Sequence, residues 1–161
     1  MKSKTCLLTG VAIWLSLSAG TEKSNLTEGF RPGDLAPDIT PENSRRAVDF
    51  TRRTGQYTLV NFWAAYDAVS RVRNMQFAQK TSGLDSTRIT LFSVSMDEKE
   101  SVFTETLKTD RLDATNQWYA GAQRSSLYKK YGLKNGLKNF LIDDSGVIVA
   151  TNITVEQLSQ W

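Results

Sequence analysis

The stretch Leu59-Val60-Asn61-Phe62-Trp63-Ala64-Ala65-Tyr66-Asp67-Ala68-Val69-Ser70-Arg71 joins two kinds of periodicity within thirteen residues. Tyr57 to Trp63 is almost continuously apolar and rich in β-favouring side chains, the pattern of a strand buried on both faces. Asp67 is a favoured helix N-cap. After it Ala68, Val72 and Met75 recur at helical spacing, with Phe77 on an adjoining stripe, and Gly83 offers a left-handed terminator. A doubly buried strand running straight into an amphipathic helix implies a sheet that must be covered on both sides.

The same alternation continues outward. Ile89 to Met96 reads as a second buried strand, and Asp97 as the N-cap of a helix reaching about Thr109. Gln117 to Tyr119 reads as a short strand and Ala122 to Tyr131 as a helix closed by Gly132. Phe140 to Asp143 and Val147 to Thr151 flank Asp144-Ser145-Gly146 as a hairpin, and Val155 to Trp161 forms a last helix capped by Thr154 or Asn152. Upstream, Pro32 to Thr40 mixes turn residues with an extended piece, a short strand is expected at Ala47 to Phe50, and Thr54-Gly55-Gln56 makes a turn. Strands alternating with helices, followed by a hairpin, predict an α/β fold: a three-layer α/β/α sandwich with a central mixed β-sheet.

The N-terminus has a different character. Lys2 and Lys4 precede the apolar run Cys6 to Ala19, which ends in Ser18-Ala19-Gly20, the pattern of a secretory signal over residues 1–20. As a helix that run spans about 21 Å, short for a bilayer core of about 30 Å, so an uncleaved anchor is the lesser alternative. Leu17-Ser18-Ala19-Gly20 also has the form of a lipoprotein box with glycine where a lipidated cysteine would stand. Residues 21–31 are a polar leader, and the domain is expected over 32–161. The source would then be a cell envelope, with the product periplasmic or secreted. Asn25-Leu26-Thr27 and Asn152-Ile153-Thr154 are glycosylation sequons.

Loss of the signal would take two of the 20 basic residues and none of the 17 acidic ones, leaving a net charge of +1. Arg45-Arg46, Arg52-Arg53 and Arg71/Arg73 are three small groups among acids, read as solvated surface, so no nucleic-acid partner is expected. The chain has no histidine, and its one cysteine is Cys6 within the signal. The expected mature chain therefore has no thiolate nucleophile, no disulfide, no histidine base and no zinc site of the usual kind. Asp97, Asp143 and Asp144 have the spacing of turns and caps and lack a calcium-loop pattern. No metal and no cofactor is implied.

Pro32-Gly33-Asp34-x-Ala36-Pro37-Asp38, the strand Tyr57 to Ala64, and Tyr131-Gly132-Leu133 followed by Phe140-Leu141-Ile142-Asp143-x-x-Gly146 together resemble the peroxiredoxin (AhpC/TSA) and TlpA/ResA-like branch of the thioredoxin superfamily. The resemblance spans residues 32–161 with its motifs in order, and it implies a thioredoxin-like fold and thiol–disulfide chemistry. Placed residue by residue, the family's Trp-Cys-x-x-Cys falls on Tyr66-Asp67-Ala68-Val69-Ser70, so neither sulfur is present. The family's cis-proline and the threonine after it fall on Leu137 and Lys138. The buried acid that assists the thiols falls on Asn61. In active members the positive pole of this helix favours a thiolate; here Asp67 places a fixed carboxylate there.

The candidate binding residues at the former active site are Trp63, Tyr66, Asp67, Ser70, Leu137 and Lys138, with no residue assigned a catalytic role. Asp67 reads as an N-cap, or alternatively as a base or ligand contact. Ser70 reads as a small hydroxyl bonded to the backbone, Lys138 as an ion-pair partner for Asp67, and Trp63 as half core and half rim. Tyr66 stands where the family has an exposed tryptophan and is the leading contact for a peptide. Trp118 and Trp161 are packing residues. Three functions fit: a redox-inactive envelope domain that binds a peptide or protein partner, a subunit acting through a partner's thiols, or a hydrolase using Asp67, Ser70 and Lys138. Oligomeric state is left open.

Overall fold

A computed structural model describes residues 26–41, 46–51, 54–83 and 88–161. The signal and residues 21–25 of the leader lie outside the described residues, as do Asn25, Arg45, Arg52 and Arg53. Five strands form one mixed sheet: β1 (Tyr57–Trp63), β2 (Ile89–Ser95), β3 (Gln117–Tyr119), β4 (Asn139–Ile142) and β5 (Ile148–Thr151). Their spatial order is β3-β2-β1-β4-β5. β1 and β2 run parallel in the register Tyr57 with Ile89 through Trp63 with Ser95, and β3 extends the parallel part. β4 is antiparallel to β1, and β5 to β4. Parallel neighbours need a crossover, and these are α1 (Ala68–Ser82) between β1 and β2 and α2 (Glu100–Thr109) between β2 and β3.

The period of two along β1 sorts its side chains onto two cores. Val60, Phe62 and Ala64 join Phe92, Val94, Met96, Leu127, Tyr131 and Ile39 on one face. Leu59 joins Leu91, Leu141, Phe77, Ile153 and Leu158 on the other. α3 (Arg124–Lys130) with Ala36, Ile39, Val48 and Phe50 covers the first face, and α1 with the C-terminal segment covers the second. The predicted sandwich of three layers and its mixed sheet are what the chain forms.

Several local expectations are corrected. Ordered structure starts before Pro32: Leu35 N–H donates to Thr27 O and Gly29 N–H to Leu35 O. Phe30 lies against Gly132, where a Cβ would come within 2.9 Å of its ring and where φ is +59°; a side chain at this position would meet both a clash and backbone strain. The strand expected at Ala47 to Phe50 is a loop held by a bond from Val48 N–H to Ile39 O. Gly83 ends α1 in a right-handed conformation, φ −97°.

α2 starts two residues later than read, with Lys99 and not Asp97 at the N-cap position, because the Asp97 carboxylate is engaged elsewhere. The last helix is a 3-10 turn, Glu156–Gln160, without a side-chain cap. The hairpin is as read: Asp143 Oδ1 accepts from Ser145 and Val147 N–H groups, and Gly146 takes φ +79°. Trp118 stacks on Phe92 at 5.2 Å and Trp161 packs edge-on to Tyr57 at 5.5 Å, so both pack as expected.

Candidate functional site

The apolar stripe read into α1 is not the face the helix buries. Ser70, Asn74 and Phe77 are buried, whereas Val69 and Val72 are 77% and 53% exposed and Met75 is also exposed. The reason lies beneath the helix, where β1, β2 and β3 present Asn61, Ser93 and Gln117. Asn61 Nδ2 donates to Asn74 Oδ1 (3.2 Å) and Ser93 Oγ (3.4 Å), and Asn74 Nδ2 donates to Gln117 Oε1 (3.1 Å). A buried amide must be hydrogen-bonded or it costs about 1–3 kcal/mol. Polar residues on the sheet therefore draw the polar stripe of the helix inward and leave its valines outside.

The helix pole is built from backbone contacts. Asp67 is the N-cap, extended at φ −102°, and its Oδ1 accepts from Ser70 N–H at 3.2 Å. Ser70, 1% exposed, donates its hydroxyl to Asp67 O (3.1 Å) and accepts from Ala64 N–H (3.3 Å). That hydroxyl donates to a backbone carbonyl and not to the neighbouring Asp67 carboxylate, so the two are not arranged as nucleophile and base. Lys138 is not paired with Asp67; ion pairs form instead at Arg71–Asp110, Lys108–Glu105 and Arg124–Glu98. The Lys138 carbonyl instead accepts from Phe62 N–H, extending the β1–β4 pairing by one rung.

Two further candidates move inward. Trp63 is fully buried against Phe103 of α2, with ring centroids 6.2 Å apart, rather than half at the rim. Its Nε1 is a buried donor with no hydrogen-bond partner among the described residues. Leu137, at the family's cis-proline position, is buried in the core beside α3, and no cis peptide bond occurs among the described residues. The structure thus brings Asp67 and Ser70 together at the pole, leaves Tyr66 exposed beside them, and withdraws Trp63 and Leu137 from any surface.

Tyr66 is 63% exposed, and its hydroxyl meets that of Tyr128 at 2.8 Å. The Arg124 guanidinium lies 5.4 Å above the Tyr128 ring, and Arg124 Nε donates to Met96 O at 2.7 Å. Burial first, and then the Tyr66 hydrogen bond, push the Tyr128 hydroxyl up to about 12.

Three polar residues take roles here that differ from those read from the sequence. Asp97, buried, accepts from Ala65 N–H through both oxygens (3.0 and 3.2 Å) and from the Ser95 hydroxyl (2.7 Å), pinning the turn that leads into α1. Arg71, expected at the surface, makes a two-pronged pair with Asp110 at 2.7 and 2.5 Å. Arg73, also expected there, is half-buried. It donates to Asn61 Oδ1 (3.2 Å), Phe62 O (3.2 Å) and Leu137 O (2.9 Å), tying α1 to the loop that precedes β4. Burial lowers its pKa, only partly opposed by the charge of Asp67. The buried face of α1 itself carried one usable signal: Ser70, Asn74 and Phe77 share an i, i+4, i+7 stripe, which is a core face if buried polar partners exist opposite.

No protein-family model matches the chain, and no curated protein does. Among solved structures, a thioredoxin-like protein from Parabacteroides distasonis is 53% identical, with a TM-score of 0.75 over 84% of this chain and 96% of its own. The thioredoxin domain of a thiol-disulfide oxidoreductase from Bacteroides vulgatus is 22% identical, with a TM-score of 0.68 over 82% of this chain and 98% of its own. StoA from Bacillus subtilis is 20% identical, with a TM-score of 0.59 over 78% and 94%. The latter two share the fold. With one relative more than half identical over nearly its whole length, and with the sheet order and helix pole described above, the chain belongs to the thioredoxin-like family.

Proposed function

We propose that this protein is a redox-inert thioredoxin-like domain of the cell envelope that works by binding a peptide or protein partner. The observation that carries the proposal is the helix pole. Where a thiolate would be stabilised by the positive end of α1, Asp67 holds a carboxylate bonded to Ser70 N–H, and the Ser70 hydroxyl is turned into the backbone. The chain's one cysteine is Cys6, within the segment read as an export signal. That segment also supports the envelope assignment. No helix among the described residues is long and apolar enough to cross a membrane. Exposed Tyr66, Val69 and Val72 around the pole supply a surface of the kind partners use.

Insulin reduction with dithiothreitol as the terminal reductant tests the redox half. The full chain and its Cys6→Ser variant are expected to match the background rate. Turnover above background by the Cys6→Ser variant would overturn the proposal, and turnover appearing only after a second envelope protein is added would favour a subunit that acts through its partner's thiols.

A further inference from the structure

Beside the pole, a groove of about 610 Å³ runs along the flank of α1. One wall is α1 itself, through Val69, Val72 and Gln76; the other is the segment after β5, through Ile153 and Val155. Its lining is mainly apolar, and it lies within the volume range of small-ligand and peptide sites. The groove exists because α1 buries its polar stripe, leaving the valines outside, and because the facing segment closes in a short 3-10 turn.

Arg73 also lines this groove. Its Nε and Nη2 are used on three neutral acceptors. No carboxylate is bonded to it. The two nearby acids do not fill that role: Asp67 acts on it only through space while capping α1, and Glu156, in the groove wall, is hydrogen-bonded to Thr154 and to its own backbone. A half-buried cation that lines an apolar groove and whose three hydrogen bonds all go to neutral acceptors is complementary to an anion carried by an apolar chain. Guanidinium–carboxylate hydrogen bonds are among the stronger ones available.

We infer that the groove between α1 and residues 152–156 receives an extended segment of a partner protein, with a carboxylate on Arg73 and apolar side chains against Val69, Val72 and Val155. In an extended chain, alternate residues face the same side, so the motif has the form apolar-x-acid-x-apolar. The inference rests on the reading of the protein as a binder and adds where it binds and what it recognises. The site starts at the pole, where Ala68 and Val69 line it, and continues along the helix flank through Val72 and Gln76.

The probes are acetyl-Leu-Ser-Asp-Ser-Val-amide and its asparagine counterpart, titrated into the isotope-labelled full chain by two-dimensional NMR. The aspartyl peptide is expected to shift Val69, Val72, Ile153, Val155 and the Arg73 side-chain Nε–H resonance, and the asparaginyl peptide to bind at least tenfold more weakly. Val72→Glu, at an exposed position, should abolish binding with an unchanged melting temperature, which separates loss of the site from loss of the fold. Equal binding of the two peptides, shifts confined to Tyr66 and Tyr128, or no shifts would each overturn the groove assignment. Those results leave the redox-inert reading standing, since that reading falls only to turnover in the insulin assay.

Discussion

Asp67 shows how one side chain can exchange a chemical role for a structural one. At a helix N-terminus a carboxylate gains from both the macrodipole and an otherwise unsatisfied N–H, together typically about 1 kcal/mol. Asp67→Ala should therefore lower stability by about 1 kcal/mol in chemical denaturation, and Asp67→Asn, which still caps, by much less. Asp97 should matter more, since its loss strands the Ala65 N–H and Ser95 hydroxyl in a buried site; Asp97→Ala is expected to cost about 1–3 kcal/mol in the same assay. The tyrosines set the alkaline limit. Tyr131, buried with its hydroxyl on Pro37 O, has its pKa raised by burial, and Tyr128 sits near 12, against an ordinary value of 10.0. For both, the folded state holds its proton more tightly than the unfolded state. Their contribution is complete below pH 10 and declines above it as unfolded tyrosines ionise first. Urea midpoints should fall between pH 10 and about 12, and less steeply in Tyr131→Phe. The cap at Asp67 was legible because capping is local chemistry. The role of Asp97 was not, because its partner Ala65 is 32 residues away along the chain.

At the level of elements, α1 was read with the right ends and the wrong face. Its boundaries follow from Asp67 and Gly83, both local signals, but its orientation is decided by Asn61, Ser93 and Gln117 on three different strands. Apolar periodicity assumes an apolar sheet, and a polar patch on that sheet reverses the assignment. The brace between Arg71 and Asp110 was equally invisible, since it joins α1 to the residue that ends α2. Asp110 is nearly buried and Arg71 about one third exposed, so removing the arginine leaves a poorly hydrated carboxylate. Arg71→Ala is expected to cost about 1–3 kcal/mol, more than an ordinary surface pair at under about 1 kcal/mol. A double-mutant cycle with Asp110→Ala should give a coupling above 0.5 kcal/mol, the lower bound for residues in direct contact; additive effects would show the pair to be ornamental.

For the molecule as a whole, the order of strands and helices was legible because buried parallel strands and the hairpin at Asp143 to Gly146 carry strong period and turn signals. The position of Leu137 was not: read as a binding edge by analogy, it is a core residue once proline is absent and Arg73 holds its carbonyl. Restoring sulfur by Asp67→Cys with Ser70→Cys therefore should give at most slow insulin reduction. The second thiol would be almost inaccessible, and the loop before β4 is fastened to α1. The same variant loses its cap and should melt roughly 2–4 °C lower. A further consequence follows from the two rims of the sheet. β3 has only three residues, and the outer side of β5 is occupied at Ile148 by Gly33 and Asp34. Little ladder is left open for a strand from another copy. Among the described residues, fibril-like association would thus have to begin with β1 or β2, the long apolar runs at the centre of the sheet, and so only after the native fold has opened.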